Sequence, residues 1–224
     1  MIESSLRIDA AVKAIRKSIP ADVTLLAAAK TRTLPEVEAV IEAGITHIGY
    51  NYIQESLPII QAIGSRATWH VIGHLQRNKA KVATEFFDII ETVDSWTLAQ
   101  TLERHAESLQ KTIPILVEIN SGREPNKDGV LPEEVDELIA QLSTLTYLQV
   151  KGLMTMGPRF GNPEDSRPYF VATRQVFDRL AKQSLPNVEM RYLSMGMSNS
   201  YLIAIQEGAN IVRIGTKLFG ERSE

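Results

Sequence analysis

Short runs in which nearly every position is apolar recur along the chain, at residues 23–30, 45–50, 68–73, 87–93, 113–120, 148–154, 188–193 and 211–214. Between them lie windows in which apolar residues return every three or four positions, at 54–63, 78–84, 95–109, 132–142, 166–182 and 198–206. A further helix opens at Thr33-Leu34-Pro35-Glu36, where a capping-box pattern meets an early proline. Runs without polar alternation predict strands buried on both faces, as in parallel sheets. Strand–helix alternation at this spacing predicts parallel pairing through right-handed crossovers. The strand count is the one that closes a barrel. The expected fold is therefore α/β, a single-domain TIM-type (β/α)8 barrel over residues 1–224 with an extra N-terminal helix. A doubly wound open sheet is the alternative, but it would carry a glycine fingerprint after its first strand, and Lys30-Thr31-Arg32-Thr33 has none.

The N-terminal segment places Ile8, Val12, Ile15 and Ile19 on one stripe, interleaved with Arg7, Lys13, Arg16 and Lys17. A narrow apolar stripe of this kind predicts a packed amphipathic helix rather than a membrane anchor or targeting segment. At 224 residues and 44% hydrophobic content the chain can bury a full core. A net charge of −3 argues against nucleic acid, whose phosphate backbone needs a basic face. The absence of cysteine excludes disulfides, thiolate nucleophiles and iron–sulfur clusters, and fits a cytoplasmic protein.

Candidate chemistry gathers at strand ends. Lys30 closes the wholly apolar run Leu25-Leu26-Ala27-Ala28-Ala29. A partly desolvated lysine is the form that condenses with aldehydes. Near the other end, Ser194-Met195-Gly196-Met197-Ser198 and Val212-Arg213-Ile214-Gly215-Thr216 each pass from a strand into small, amide-rich residues. In a β/α barrel the loops after the seventh and eighth strands commonly hold a phosphate, with a short helix N-terminus beside them. The helix predicted from Ser198 would point to that place. Closure makes the first and eighth strands neighbours, so the amine and the phosphate nest would share one mouth. Together they suggest an aldehyde-bearing phosphorylated cofactor. Arg213 interrupts an apolar strand and must be matched there; either it pairs with a carboxylate such as Glu118, or it donates to a ligand ring nitrogen or anion. His70 and His74 stand four apart on a strand end and turn, which does not predict a metal site. Long loops at 121–130 and 157–166 would overhang the same mouth as candidate lids.

Taken together, these residues resemble the pyridoxal phosphate homeostasis proteins, a family similar in fold to the N-terminal barrel of alanine racemase. The resemblance rests on Ala29-Lys30-Thr31, on Asn51 with Gln54-Glu55, on residues 69–79 and on Val93-Asp94-Ser95. It continues through residues 152–156, 193–198 and 212–216. It implies that Lys30 forms a Schiff base with pyridoxal 5'-phosphate (PLP) and that Arg213 faces the pyridine nitrogen. It implies further that Ser198, Gly215 and Thr216 hold the phosphate, with Asn51 and Met197 against the cofactor. One departure is Gly49-Tyr50-Asn51-Tyr52, where the family usually has an acidic residue at the position of Tyr50.

An arginine at the ring nitrogen makes the ring a poor electron sink, because arginine does not give up its proton. The expected function is thus intracellular PLP homeostasis, holding the cofactor as a lysine aldimine without catalytic turnover. The alternative is a PLP-dependent amino-acid racemase, using Lys30 and a histidine or tyrosine at the mouth. A third reading, without PLP, is a barrel enzyme for a sugar or indole phosphate. A monomer is expected, since the chain ends soon after the phosphate strand and has no counterpart of the racemase's second domain. No membrane, nucleic acid or metal is expected as a partner; a receiving apoenzyme or a regulatory protein is left open.

Overall fold

The computed structural model describes residues 2–158 and 161–221. The strands are β1 Thr24–Ala28, β2 His47–Tyr50, β3 Thr68–Val71, β4 Ile89–Val93, β5 Ile113–Ile119, β6 Leu148–Thr155, β7 Val188–Ser194 and β8 Ile211–Ile214. They close into a barrel in sequence order, every pairing parallel, with Leu26 of β1 level with Arg213 of β8. The helices are α1 Ile2–Ser18, α2 Leu34–Glu42, α3 Ile53–Ile63, α4 Ala80–Phe86 and α5 Trp96–Leu109, then α6 Val135–Leu142, α7 Arg167–Leu180, α8 Tyr201–Gln206 and α9 Thr216–Phe219. The TIM-type barrel with an extra N-terminal helix read from the apolar pattern is the fold observed.

Residue chemistry accounts for the boundaries. Thr33 caps α2 through the expected capping box, with Glu36 returning a carboxylate to the Thr33 N–H at 2.9 Å. The stripe Ile8, Val12, Ile15 and Ile19 of α1 is buried, and the helix packs against α2 and α9. Arg7 ties it to the end of the chain by donating to the Phe219 carbonyl. No helix among the described residues is long and apolar enough to cross a membrane.

The main apolar core lies between barrel and helices, where outward-facing strand residues such as Ile48 and Tyr50 pack. A small second cluster, Leu26, Ile72 and Ile211, is separate from it. Gly49 lies against this cluster, because a Cβ there would meet Leu26 and Ile72 at 2.7 and 2.8 Å. Since strand residues alternate in direction, Tyr50 points the other way, into the helix layer, beside the Trp69 ring. Where the resemblance leads to an expected acidic residue, this chain therefore has a packed aromatic outside the barrel interior.

Gly152 marks the irregularity between β6 and β7. Its φ is +148°, and a Cβ there would lie 1.8 Å from the carbonyl oxygen of Tyr192 on the neighbouring strand. Backbone cannot yield as a side chain does, so Gly152→Ala is expected to lower stability by about 3 kcal/mol. Urea unfolding checks this, and a loss well under about 1 kcal/mol would show that the two strands part easily.

Candidate functional site

The C-terminal mouth of the barrel opens into a cavity of about 710 Å³. Lys30, Asn51, Met197, Ser198, Arg213, Gly215 and Thr216 all line it, so the residues singled out from the two ends of the chain share one wall. Ala28, Ile72, Ile119 and Met156 supply apolar lining, and Glu118, Asn120, Lys127 and Asp128 form the far side.

Lys30 follows β1 by two residues, and Thr31 after it takes a left-handed conformation at φ 63°. The Thr31 N–H donates to Glu55 Oε2 at 3.3 Å, which holds the turn that presents the lysine. Asn51 reaches the rim because Gly73 leaves room for it: a Cβ on Gly73 would sit 2.6 Å from Asn51 Cα.

Ser198 acts otherwise than the strand–helix pattern suggests. The predicted helix 198–206 begins only at Tyr201, so Ser198 belongs to the loop after β7 and does not cap the helix. Its hydroxyl instead accepts from the backbone N–H groups of Gly215 at 3.2 Å and Lys217 at 3.3 Å, joining the β7 and β8 loops. Gly196 lets the first of these loops turn, with φ +92° and only 2.5 Å between an added Cβ and Ala204.

Arg213 is buried in the barrel interior, donating through Nη1 to Ser194 Oγ at 2.7 Å and through Nη2 to the Thr155 carbonyl at 2.8 Å. Its carboxylate partner is Glu91 on β4, reached through Ser194, which donates to Glu91 Oε2 at 2.6 Å. β4 and β7 are not neighbours, so this bond crosses the barrel. The direct Arg213–Glu91 separation is 3.9 Å. Glu91 accepts in turn from His70 Nδ1 at 2.7 Å, and His70 Nε2 bonds His47 Nδ1 at 2.9 Å. Burial pushes Glu91 up, but the His70 hydrogen bond and the charges of His70 and Arg213 outweigh it and hold the carboxyl below its ordinary range. Burial and the neighbouring His70 bring His47 down to about 4. A polar chain thus runs from the mouth through a barrel interior that commonly holds branched aliphatics.

The carboxyl of Glu118, the partner suggested for Arg213 by sequence, makes neither a hydrogen bond nor a salt bridge among the described residues, and acts on the arginine only through space. Burial, then Asp94 and Asp128, push its carboxyl up to about 8. The native state therefore keeps a proton that the unfolded chain gives up above the ordinary value of 4.5. The stability linked to that proton is whole below 4.5 and declines as pH rises through about 8. Glu118→Gln should remove the decline, so its melting temperature should gain on wild type as pH rises across that window. Parallel melting curves at every pH would show that Glu118 titrates normally.

Glu91, Ser194 and His70 were missed as a working set, although Glu91 and Glu118 carry the signal that singled out Arg213: a charge inside an apolar strand. Asn120 was also missed; its side chain organises the loop at 121–130, donating to the Glu124 and Lys127 carbonyls. This loop borders the cavity through Asn126, Lys127 and Asp128. The loop at 157–166 touches it through Gly157, while residues 159 and 160 lie outside the described part. His70 and His74 do not act as a pair: His70 is buried in the polar chain, whereas His74 meets Asp128 at 2.9 Å on the rim.

Comparison with known proteins agrees with this geometry. Residues 5–223 match the family profile described as alanine racemase, N-terminal domain. The chain is 40% identical over 199 residues to the pyridoxal phosphate homeostasis protein of Aquifex aeolicus, covering 88% of this chain and 86% of that one. With the protein of the same name from Synechocystis it shares 38% identity over 207 residues, covering 92% and 94%. It superposes on PipY of Synechococcus elongatus, solved with PLP bound, at a TM-score of 0.87 and 32% identity, covering 95% and 100%. Alanine racemase of Bacillus anthracis, at a TM-score of 0.75 and 21% identity, shares the fold over 98% of this chain and 57% of its own. By fold, matched length and identity, the chain belongs to the pyridoxal phosphate homeostasis protein family, within the class defined by the alanine racemase N-terminal domain.

Proposed function

We propose that this protein binds PLP reversibly at the barrel mouth and serves its homeostasis, with residues 1–224 acting as one cofactor-binding domain. The observation that carries the reading is the convergence of Lys30, Arg213 and the Ser198–Gly215–Thr216 nest on a single cavity. The donor set suits the cofactor. Lys30 supplies an amine for the aldehyde, and the nest supplies hydroxyl and backbone donors for the phosphate, each charge-assisted bond contributing about 1.5–3 kcal/mol. Arg213 has more N–H donors than the two used internally, which leaves some for a ring nitrogen. Asn51 and Met197 complete the wall.

Bound PLP supplies a reactive aldehyde and, where its ring nitrogen is protonated, an electron sink. The chain's own residues disfavour the second use. Glu91, Ser194 and the Thr155 carbonyl hold a charged guanidinium where a carboxylate would be needed to protonate the ring. A racemase would also require a second base; His74 on the rim is bonded to Asp128, and neither histidine nor tyrosine lines the cavity itself among the described residues. This supports a carrier that buffers the aldehyde and hands it to an apoenzyme, or reports it to a regulatory protein, over a catalyst.

Adding PLP to the purified protein should produce a new absorption band that borohydride bleaches, leaving a mass increment on the peptide that contains Lys30. A spectrum equal to that of free PLP, with no increment, would refute the reading. Cofactor-dependent exchange of the α-proton of amino acids in deuterated water at a catalytic rate would replace it by the racemase.

A further inference from the structure

The far side of the cavity has a chemistry the cofactor does not need. Glu118 stands on β5, diametrically across the barrel from β1 and therefore from Lys30. It is 3% exposed and faces the cavity, and no hydrogen bond or salt bridge among the described residues reaches its carboxyl. Its oxygens open onto the cavity and nowhere else is the residue exposed, so a group entering the cavity is what can bond them. Asp128 lines the cavity as well, and its carboxylate lies within 4.8 Å of that of Asp94 and of a His74 ring nitrogen, with both aspartates acting on Glu118 through space. The apolar lining of the cavity, Ile72, Ile119 and Met156, suits an organic body better than a hydrated ion.

We propose that Glu118, with Asp94 and Asp128, forms a recognition pole for the primary ammonium group of a small organic amine that enters the same mouth as the cofactor. The inference rests on the cavity being the PLP site, since amines are the class of compound that reacts with an aldehyde, and the pole faces the lysine assigned to hold it. An arriving ammonium adds a positive charge at the carboxyl itself, which Arg213 reaches only through space, so the carboxyl ionises as the amine binds. The charged groups acting on Glu118 are Asp94 and Asp128 on the rim, Glu91 on β4 and Arg213 on β8. Asp128 is also met by His74, while neighbouring Lys127 is engaged by Glu124 at 2.6 Å. Amine binding near neutral pH should therefore release a proton from Glu118.

The test is calorimetric titration of the PLP-free protein with n-butylamine, in two buffers of different ionisation heat, with n-butanol and manganese chloride as separate arms. Saturable butylamine binding with proton release is expected, together with no competition from butanol. Glu118→Gln should abolish the proton release and weaken binding about tenfold, the effect of losing about 1.4 kcal/mol. Should that variant fail to fold, the Asp94→Asn, Asp128→Asn double variant should weaken butylamine binding to a similar degree. Absence of butylamine binding, equal binding of butanol, displacement of butylamine by manganese, or unchanged binding in the variants would overturn the proposal. PLP binding is followed separately by absorption, so failure of the cofactor reading and failure of the amine pole give different results.

Discussion

Lys30→Ala protein should retain no PLP after borohydride treatment, while still binding some of it through the phosphate nest. Lys30 is the amine that the proposed wall offers the aldehyde: Ser198, Gly215 and Thr216 offer hydroxyl and backbone donors, and Arg213 a guanidinium committed to Ser194 and Thr155. Trapping should therefore fall to background, and retention in equilibrium dialysis should weaken by roughly tenfold or more. The variant should stay within about 0.5 kcal/mol of wild-type stability in denaturant unfolding, because Lys30 lies past the end of β1. Undiminished trapping in the folded variant would assign the covalent bond to another amine, with Lys127 and Lys217, which also line the cavity, the first to be tested.

The second large effect is expected at Glu91. Its two oxygens take hydrogen bonds from His70 and Ser194, and its charge faces Arg213 from a position with no exposed surface of its own. Removing one partner of a buried ionic set leaves the others uncompensated, at a cost of about 3–5 kcal/mol. Glu91→Ala should lose that much in denaturant unfolding, and Glu91→Gln less, since an amide still accepts from Ser194. Because the folded carboxyl titrates below its ordinary value, this contribution is present above the unfolded value of 4.5 and is lost as pH falls through the depressed one. The gap between wild type and Glu91→Ala should therefore narrow in acid. A gap that stays constant with pH would mean that packing, and not charge, makes Glu91 matter. PLP affinity should fall with stability in this variant, because Arg213 loses the anchor that aims it.

Much of this was legible from residue types alone. Continuous apolar runs ending in Lys30 and in Gly215-Thr216 announced both the barrel and its mouth, since only strands covered on both faces tolerate such runs. Arg213 stood out because a charge inside an apolar strand must be matched. Its partner was misjudged for a topological reason. Glu118 was the acidic residue in a long apolar strand, yet the match came from Glu91 through Ser194, and sequence does not reveal which strands face each other across an interior. The helix predicted over 198–206 begins three residues later, at Tyr201, because Ser198 is occupied in accepting from the amides of Gly215 and Lys217. The loop at 121–130 drew notice for its length, but its tie to Asn120 depends on a close return of the chain that spacing does not encode.

The line of side chains from His47 to Arg213 also constrains how this scaffold can diverge. The bonds form one open line in which Arg213 only donates, Glu91 only accepts and Ser194 does both, so an aliphatic replacement at one position strands its neighbours. Drift here should proceed by concerted exchange of several positions at once, and a designer wishing to refit the pocket for a different ring would have to rewrite the barrel's axis as a block.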